Sequence, residues 1–95
     1  MNWKFNEKTN KWNCSIGNTH YEITRIFYDP EKNQEHYVVA IHTYHNLLID
    51  NIQASFAEIQ YVRTDATIAK HREKENLTFN SLEAAQKIVK YLIFS

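Results

Sequence analysis

The fold is decided by the stretch Phe79-Asn80-Ser81-Leu82-Glu83-Ala84-Ala85, which carries the start signal of a helix. Asn80 is a residue type that caps the free N–H groups of a first helical turn, and Glu83 follows three residues later, as in a capping box. Beyond this point apolar residues recur at helical spacing, and polar residues fill most of the other positions. The apolar positions are Leu82, Ala85, Ile88, Val89 and Leu92. The sequence therefore predicts a C-terminal amphipathic helix that covers one face of a sheet.

The first half of the chain supplies the strands of that sheet. Apolar and polar residues alternate in three successive segments, and a fourth segment is apolar on both faces around Val38 and Val39. Gly17-Asn18, between the second and third segments, is a residue pair typical of a tight hairpin turn. The four predicted strands occupy residues 3–5, 12–16, 20–28 and 35–45. Together they predict an antiparallel β-meander whose fourth strand lies in the interior of the sheet.

The segment from Leu47 to Val62 allows two interpretations. In the favoured one, Asp50 caps a short helix that ends near Ile59, with apolar residues at helical spacing between them. In the other, residues 46–51 and 57–63 are two further strands of the meander. We therefore predict an α+β fold in a single domain over residues 1–95. In this prediction a meander of about four strands packs against the C-terminal helix, and a second short helix lies at residues 50–59.

Composition and charge exclude several classes of protein. The chain has 95 residues, 43% of them hydrophobic, which argues against disorder. Lys plus Arg and Asp plus Glu number 11 each, and this balance speaks against a protein dominated by contacts to a phosphate backbone. Cys14 is the only cysteine, so the chain has no internal disulfide. With no membrane-length apolar run and no signal-peptide core, we expect a cytoplasmic protein that does not contact a membrane.

The sequence lacks the residue patterns of the common catalytic and metal sites. His42 and His45 are three residues apart on a predicted strand, so they point to opposite faces and cannot share a metal ion. Cys14 alternates with Trp12 and Ile16 and is expected to be a buried, inert thiol. Gly17 is the only glycine, which excludes a glycine-rich phosphate loop. We therefore expect no catalytic residues, no metal ligands and no cofactor.

Two surfaces are candidates for binding. With one helix on one face of the sheet, the other face presents aromatic and apolar residues, among them Tyr28 and Tyr44, and would suit a protein partner or a second copy of the chain. A basic cluster follows the predicted sheet and, together with the sheet tyrosines, would suit nucleic acid as the alternative. The candidate partner-binding residues are Tyr28, Tyr44, Arg63, Lys70, Arg72 and Lys74.

The order of these features resembles short phage and prophage proteins. The resemblance rests on a tryptophan followed by Tyr21-Glu22-Ile23, Tyr37 and the helix start at residues 79–85, and it covers most of the chain apart from residues 47–76. In such proteins a small meander precedes a helix introduced by Phe-x-Ser-Leu-x-x-Ala. The resemblance implies a non-enzymatic module that binds a host protein in the host cytoplasm, such as an inhibitor that occludes the surface of a bacterial defence protein. A homodimer belongs to the same expectation of a protein-binding module, and a nucleic-acid-binding accessory protein is the alternative.

Overall fold

The structure, a computed structural model, describes residues 1–29, 34–70 and 77–94, and of residues 27–29 and 34 the backbone alone. Within these residues the chain forms seven strands followed by one helix. The strands are β1 (Lys4–Asn6), β2 (Lys11–Ile16), β3 (Thr19–Asp29), β4 (Gln34–Ile49), β5 (Ile52–Val62), β6 (Ile68–Ala69) and β7 (Thr78–Phe79), and the helix is α1 (Leu82–Phe94).

The strands form one antiparallel sheet. Strands β1 to β6 lie side by side in chain order, and β7 pairs with β4 through Tyr37 opposite Phe79 and Val38 opposite Thr78. This confirms the predicted α+β class, the meander and the C-terminal helix. The described residues contain more strands than the predicted four, because β5, β6 and β7 were not foreseen as strands in the favoured interpretation.

The core lies between α1 and one face of the sheet. Ile23, Val39, Val62 and Val89 are fully buried there. The predicted apolar face of the helix is confirmed, since Ala85 and Val89 are buried and the remaining members pack against the same cluster. Those members are Leu82, Ile88 and Leu92. We call this side of the sheet the helix side, and the other side the open side.

The cap of α1 lies one residue later than predicted. The Ser81 hydroxyl accepts a hydrogen bond from the Ala84 N–H (3.1 Å), and the Ser81 carbonyl accepts one from the Ala85 N–H (3.2 Å). Ser81 is therefore the N-cap, and Glu83 stands too early in the helix to close the predicted capping box with Asn80. Serine and asparagine are about equally favourable as N-cap residues, so Asn80 and the adjacent Ser81 are both suited to begin this helix. The helix that forms is the one that places Ala85 and Val89 in the core.

The helix predicted at residues 50–59 is wrong. Asp50 (φ 49°) and Asn51 (φ 63°) form a two-residue turn between Ile49 and Ile52, which are paired opposite each other. Positive φ at both central residues defines a type I′ turn, the connection that matches the twist of a β-hairpin. The alternative interpretation is correct in predicting strands, but residues 46–49 continue β4 instead of forming a separate strand, and the next strand begins at Ile52 instead of residue 57.

The β4–β5 hairpin extends well beyond the rest of the sheet. Strand β4 has 16 residues, but β3 pairs with it only as far as Thr43, opposite Thr19. At about 3.3 Å per residue β4 is roughly 53 Å long, nearly the full 55 Å of the molecule's longest dimension. Residues 44–57, which we call the arm, are thus a two-stranded ribbon that no other described strand flanks.

Candidate functional site

The arm carries most of the exposed large apolar side chains of strands β4 and β5. Leu48 is 73% exposed and Ile52 is 69% exposed, and the other four side chains of this set are about half exposed. The set consists of Tyr44, Leu47, Leu48, Ile49, Ile52 and Phe56. At roughly 200 Å² for a large apolar side chain, the exposed fractions leave about 700 Å² of apolar surface in water. The four of these residues on the helix side, Leu47, Ile49, Ile52 and Phe56, account for about 440 Å² of it, the size of the largest apolar patch on an ordinary monomer, which is often a functional surface.

The apolar surface is concentrated on the helix side of the arm. On that side the opposed pairs are Ile49 with Ile52, Leu47 with Ala54, and His45 with Phe56. On the open side the pairs are Leu48 with Gln53, Asn46 with Ser55, and Tyr44 with Ala57. The open side is therefore mixed in character, whereas the helix side is almost entirely apolar from the turn down to Phe56.

The apolar stripe of the arm ends at an aromatic pair. The rings of His45 and Phe56 stack with centroids 4.8 Å apart and an angle of 22° between their planes. His45 Nε2 also lies 3.5 Å from Glu58 Oε2. The stack places the His45 ring against Phe56 at the end of the stripe that lies nearest the body of the protein.

The structure places the predicted partner-binding residues in different parts of the molecule. Tyr44 lies at the base of the arm and is half exposed. Arg63 follows β5 and lies six residues beyond Ala57, the residue opposite Tyr44, so the two are roughly 20 Å apart along the strand. Lys70 follows β6 and is exposed. Arg72, Lys74 and the side chain of Tyr28 lie outside the described residues.

The basic residues that are described do not form a phosphate-binding surface with Tyr44. The Arg63 guanidinium donates to Thr67 Oγ1 and to the Ile68 carbonyl, both at 3.4 Å, and so supports the turn that leads into β6. Tyr44 lies far from Arg63, so only a long ligand could stack on the Tyr44 ring and contact the Arg63 guanidinium at the same time. Nucleic-acid binding stays a prediction from sequence.

A polar groove of about 280 Å³ crosses the open side of the sheet. Glu22 lies in it and binds Lys11 Nζ at 3.0 Å, and its other oxygen lies 3.7 Å from His42 Nε2. Val38 and Ala40 are buried at its floor. The alternation of β3 contains the signal for this cluster, since Glu22 shares the open side with His20 and Thr24, whereas Tyr21 and Ile23 face the helix side.

A second polar cluster joins β2 and β3 on the same side. The Ser15 hydroxyl lies 2.7 Å from His20 Nδ1, and His20 Nε2 lies 2.9 Å from Asn13 Oδ1. If Nε2 carries the proton and donates to Asn13, Nδ1 accepts from the Ser15 hydroxyl, which is the order of a nucleophile, a base and an orienting group. Ser15 opposes His20 directly in the ladder and is exposed. The trio is therefore accounted for by cross-strand pairing on a flat part of the sheet.

His42, His45 and Cys14 lie where the sequence placed them. His42 faces the open side and His45 the helix side, so they point apart. His20 and His42 have ring centroids 5.8 Å apart, whereas His36 stands opposite Ile26 at the other end of β3. Among the described residues no group of three histidine, cysteine, aspartate or glutamate side chains could hold a metal ion. Cys14 is 6% exposed, which confirms a buried thiol.

An apolar groove of about 510 Å³ lies beside α1. Phe79, Ala84, Ile88 and Tyr91 line it, and the polar groups nearby come from residues such as Lys87. The groove is open to solvent along the helix, and it lies on the body of the protein rather than on the arm. It is a second, smaller apolar surface.

Comparison with protein-family models, with curated proteins and with solved structures finds no match to this chain. In the part of the chain that the structure describes, α1 is too short to cross a membrane. The geometry of the arm is thus the main basis for assigning a function.

Proposed function

We propose that this protein is a non-enzymatic protein-binding module whose contact surface is the arm. The observation that carries the proposal is the concentration of six exposed large apolar side chains on a ribbon that projects past the helix and past β3. Contacts within the chain account for the polar clusters described above, but they leave these six apolar side chains largely uncovered.

The amount of exposed surface is suited to a protein partner. The helix side of the arm exposes about 440 Å² of apolar surface. Each partner contributes roughly 800 Å² to an interface of standard size, and a little over half of that area is apolar, so the two amounts agree. The helix side of the arm is apolar over three successive cross-strand pairs, as the centre of an interface is, and polar side chains such as Asn46 and Gln53 face the other side. A partner that covers the helix side would leave the polar side in water.

The shape of the arm supports the same proposal. A two-stranded ribbon is only marginally stable by itself in water. The arm keeps its register through the type I′ turn and through local contacts such as the hydrogen bond from Ser55 Oγ to Asn46 Oδ1 (2.8 Å). A partner that packs against Ile49, Ile52 and Phe56 would stabilise it by removing apolar surface from water.

We further propose that the partner is a host protein and that the chain is a phage-encoded inhibitor that acts by occluding its surface. This finer proposal draws on the resemblance of the sequence to short phage and prophage proteins. The arm adds a physical reason, because a projecting apolar ribbon can enter a cleft or cover a flat surface without any chemistry at the contact.

A pull-down from bacterial lysate with two matched variants tests the proposal. Ile52→Glu places a charge on the arm, and Phe94→Glu places the same charge at the end of α1; the two native side chains are 69% and 71% exposed. We expect one protein to be enriched by the wild type and by Phe94→Glu, and to be lost with Ile52→Glu. Capture that survives Ile52→Glu, or no enriched protein at all, would contradict the proposal.

A further inference from the structure

The outer edge of β5 is a free strand edge with little protection. Strand β6 covers this edge only at Tyr61 and Val62. On the side away from β4, residues 52–60 therefore have no neighbouring strand among the described residues. Proteins usually protect such edges with lysine, proline, a bulge or a covering segment. Residues 52–60 contain no lysine and no proline, and Glu58 is their only charged residue. The β4–β5 ladder is in continuous register along this whole length.

The backbone groups that point outward from this edge can be assigned. The Tyr44 N–H donates to the Asn18 carbonyl (3.1 Å), and the Tyr44 carbonyl accepts from Asn18 Nδ2 (3.2 Å), so both groups of Tyr44 point away from β5. Tyr44 and Ala57 are therefore a non-hydrogen-bonded pair, and the groups of Ala57 point away from β4. Because this direction alternates along a strand, the outward residues of the free edge are Gln53, Ser55, Ala57 and Ile59.

We propose that this edge pairs with the same edge of a second copy of the chain, antiparallel, about a two-fold axis at Phe56. In this register Gln53 meets Ile59 of the second copy and Ser55 meets its Ala57, so all eight outward N–H and C=O groups are paired. If the axis were at Ser55 or at Ala57, one of the four outward residues would have none of these four residues of the second copy opposite it. The inference rests on the proposed function, because it assigns an occupant to an edge of the same arm.

The side chains are compatible with the two-fold axis. Phe56 faces Phe56 of the second copy as a non-hydrogen-bonded pair, the closer of the two pair types, and the two rings meet on the helix side. Glu58, the only charge, faces Ala54 of the second copy rather than another carboxylate. An edge pairing covers less than the roughly 800 Å² per partner of a standard interface, so we expect a dimer that dissociates at micromolar concentration.

A cross-linking pair of variants tests the register. In Phe56→Cys the new thiols face each other across the axis, within reach of a disulfide. In Ala54→Cys they stand four residues apart, roughly 13 Å, which is beyond that reach. We expect a disulfide-linked dimer from Phe56→Cys and none from Ala54→Cys or from the wild type, whose only thiol, Cys14, is buried. No link in Phe56→Cys, or an equal link in Ala54→Cys, overturns the proposed register.

Light scattering on the purified protein tests the edge itself. Ala57→Pro removes an outward N–H, which the β4 ladder does not use. We expect the wild type to approach twice the chain mass of 11.4 kDa at high concentration. We expect Ala57→Pro to stay monomeric and to block the Phe56→Cys cross-link. A wild type that is monomeric at about 1 mM overturns the dimer, as does a dimer that persists in Ala57→Pro. A monomer that still captures a lysate protein through Ile52 would overturn the dimer alone and leave the proposed function standing.

Discussion

Asn18 holds Tyr44 at the base of the arm through two hydrogen bonds, one from the Tyr44 N–H to the Asn18 carbonyl (3.1 Å) and one from Asn18 Nδ2 to the Tyr44 carbonyl (3.2 Å). Asn18 belongs to the turn between β2 and β3, where Gly17 takes the positive φ of 60°. The β3–β4 ladder ends at Thr19 opposite Thr43. The asparagine therefore continues the support of β4 by one residue, to the point where the arm begins.

Asn18→Ala should loosen the arm and leave the body of the protein intact. The variant keeps the backbone bond but loses the side-chain bond to the Tyr44 carbonyl, a contribution of about 0.5–1.5 kcal/mol when such a bond is intact. We expect faster hydrogen exchange at the amides that cross the base of the arm, such as His45 and Phe56, with little change at Val39 in the core. Exchange that changes equally in the arm and the core would contradict a local role for Asn18.

The turn at the tip should respond to the φ preference of its second residue. Asn51 has a φ of 63°, which asparagine tolerates and a β-branched residue does not. Asn51→Gly should leave the arm as stable or more stable, whereas Asn51→Val should destabilise it by about 1–2 kcal/mol. Hydrogen exchange of the amides of Ile49 and Ile52, measured in both variants, distinguishes them. Equal protection in the two would show that the turn does not set the register.

The sequence predicted the meander and the helix because their signals are local. The alternation in β1 to β3 and the apolar face of α1 each fit one periodicity only. Leu48, Ile52 and Phe56 are spaced as on one face of a helix, yet Ile52 and Phe56 also share a face of a strand. Asp50-Asn51 decided between the two, since both residues adopt positive φ in a two-residue turn, but asparagine and aspartate also occur at helix caps.

The candidate site could be predicted only in part. Tyr44 was expected to be exposed on the sheet, and it is half exposed. The apolar residues between Asp50 and Ile59, Ile52 among them, were predicted to form one face of a helix, because an apolar residue is by default a core residue. Nothing in the sequence marks where the sheet extends beyond the helix that covers it. Strand β4 continues to Ile49, whereas its pairing with β3 stops at Thr43. This difference in length between the two pairings appears only in the assembled fold.

Two isoleucines should differ sharply in their effect on stability. Ile23 is fully buried beneath α1, whereas Ile52 is 69% exposed on the arm. Ile23→Ala should lower the free energy of unfolding by about 2–5 kcal/mol through lost burial and the cavity left behind. Ile52→Ala should change it by no more than about 0.5 kcal/mol, while weakening partner capture. Urea denaturation of both variants measures the contrast, and a large loss of stability in Ile52→Ala would show that the arm packs on the body of the protein.

Tyr37 should make the protein sensitive to alkali. Burial raises the pKa of the Tyr37 hydroxyl above its usual 10.0, and the hydrogen bond that it donates to Glu35 Oε2 (2.7 Å), together with that carboxylate's charge, raises it further, against a lowering by Arg25. A pKa that is higher in the folded than in the unfolded state means that the folded protein holds the proton more tightly. This contribution to stability is complete below pH 10 and is lost as the pH rises toward the folded-state pKa.

Tyr37→Phe tests this pH dependence. At neutral pH the variant should be less stable than the wild type by about 1 kcal/mol, because it lacks the hydrogen bond to Glu35. Above pH 10 the wild type alone loses the contribution of the Tyr37 proton, so the difference between the two proteins should narrow. Urea denaturation from neutral to alkaline pH measures this difference. Val39→Ala, a core substitution without a titratable group, is the control, and its free energy of unfolding should differ from that of the wild type by the same amount at every pH. If the Tyr37→Phe difference is equally independent of pH, the role assigned to the hydroxyl is contradicted.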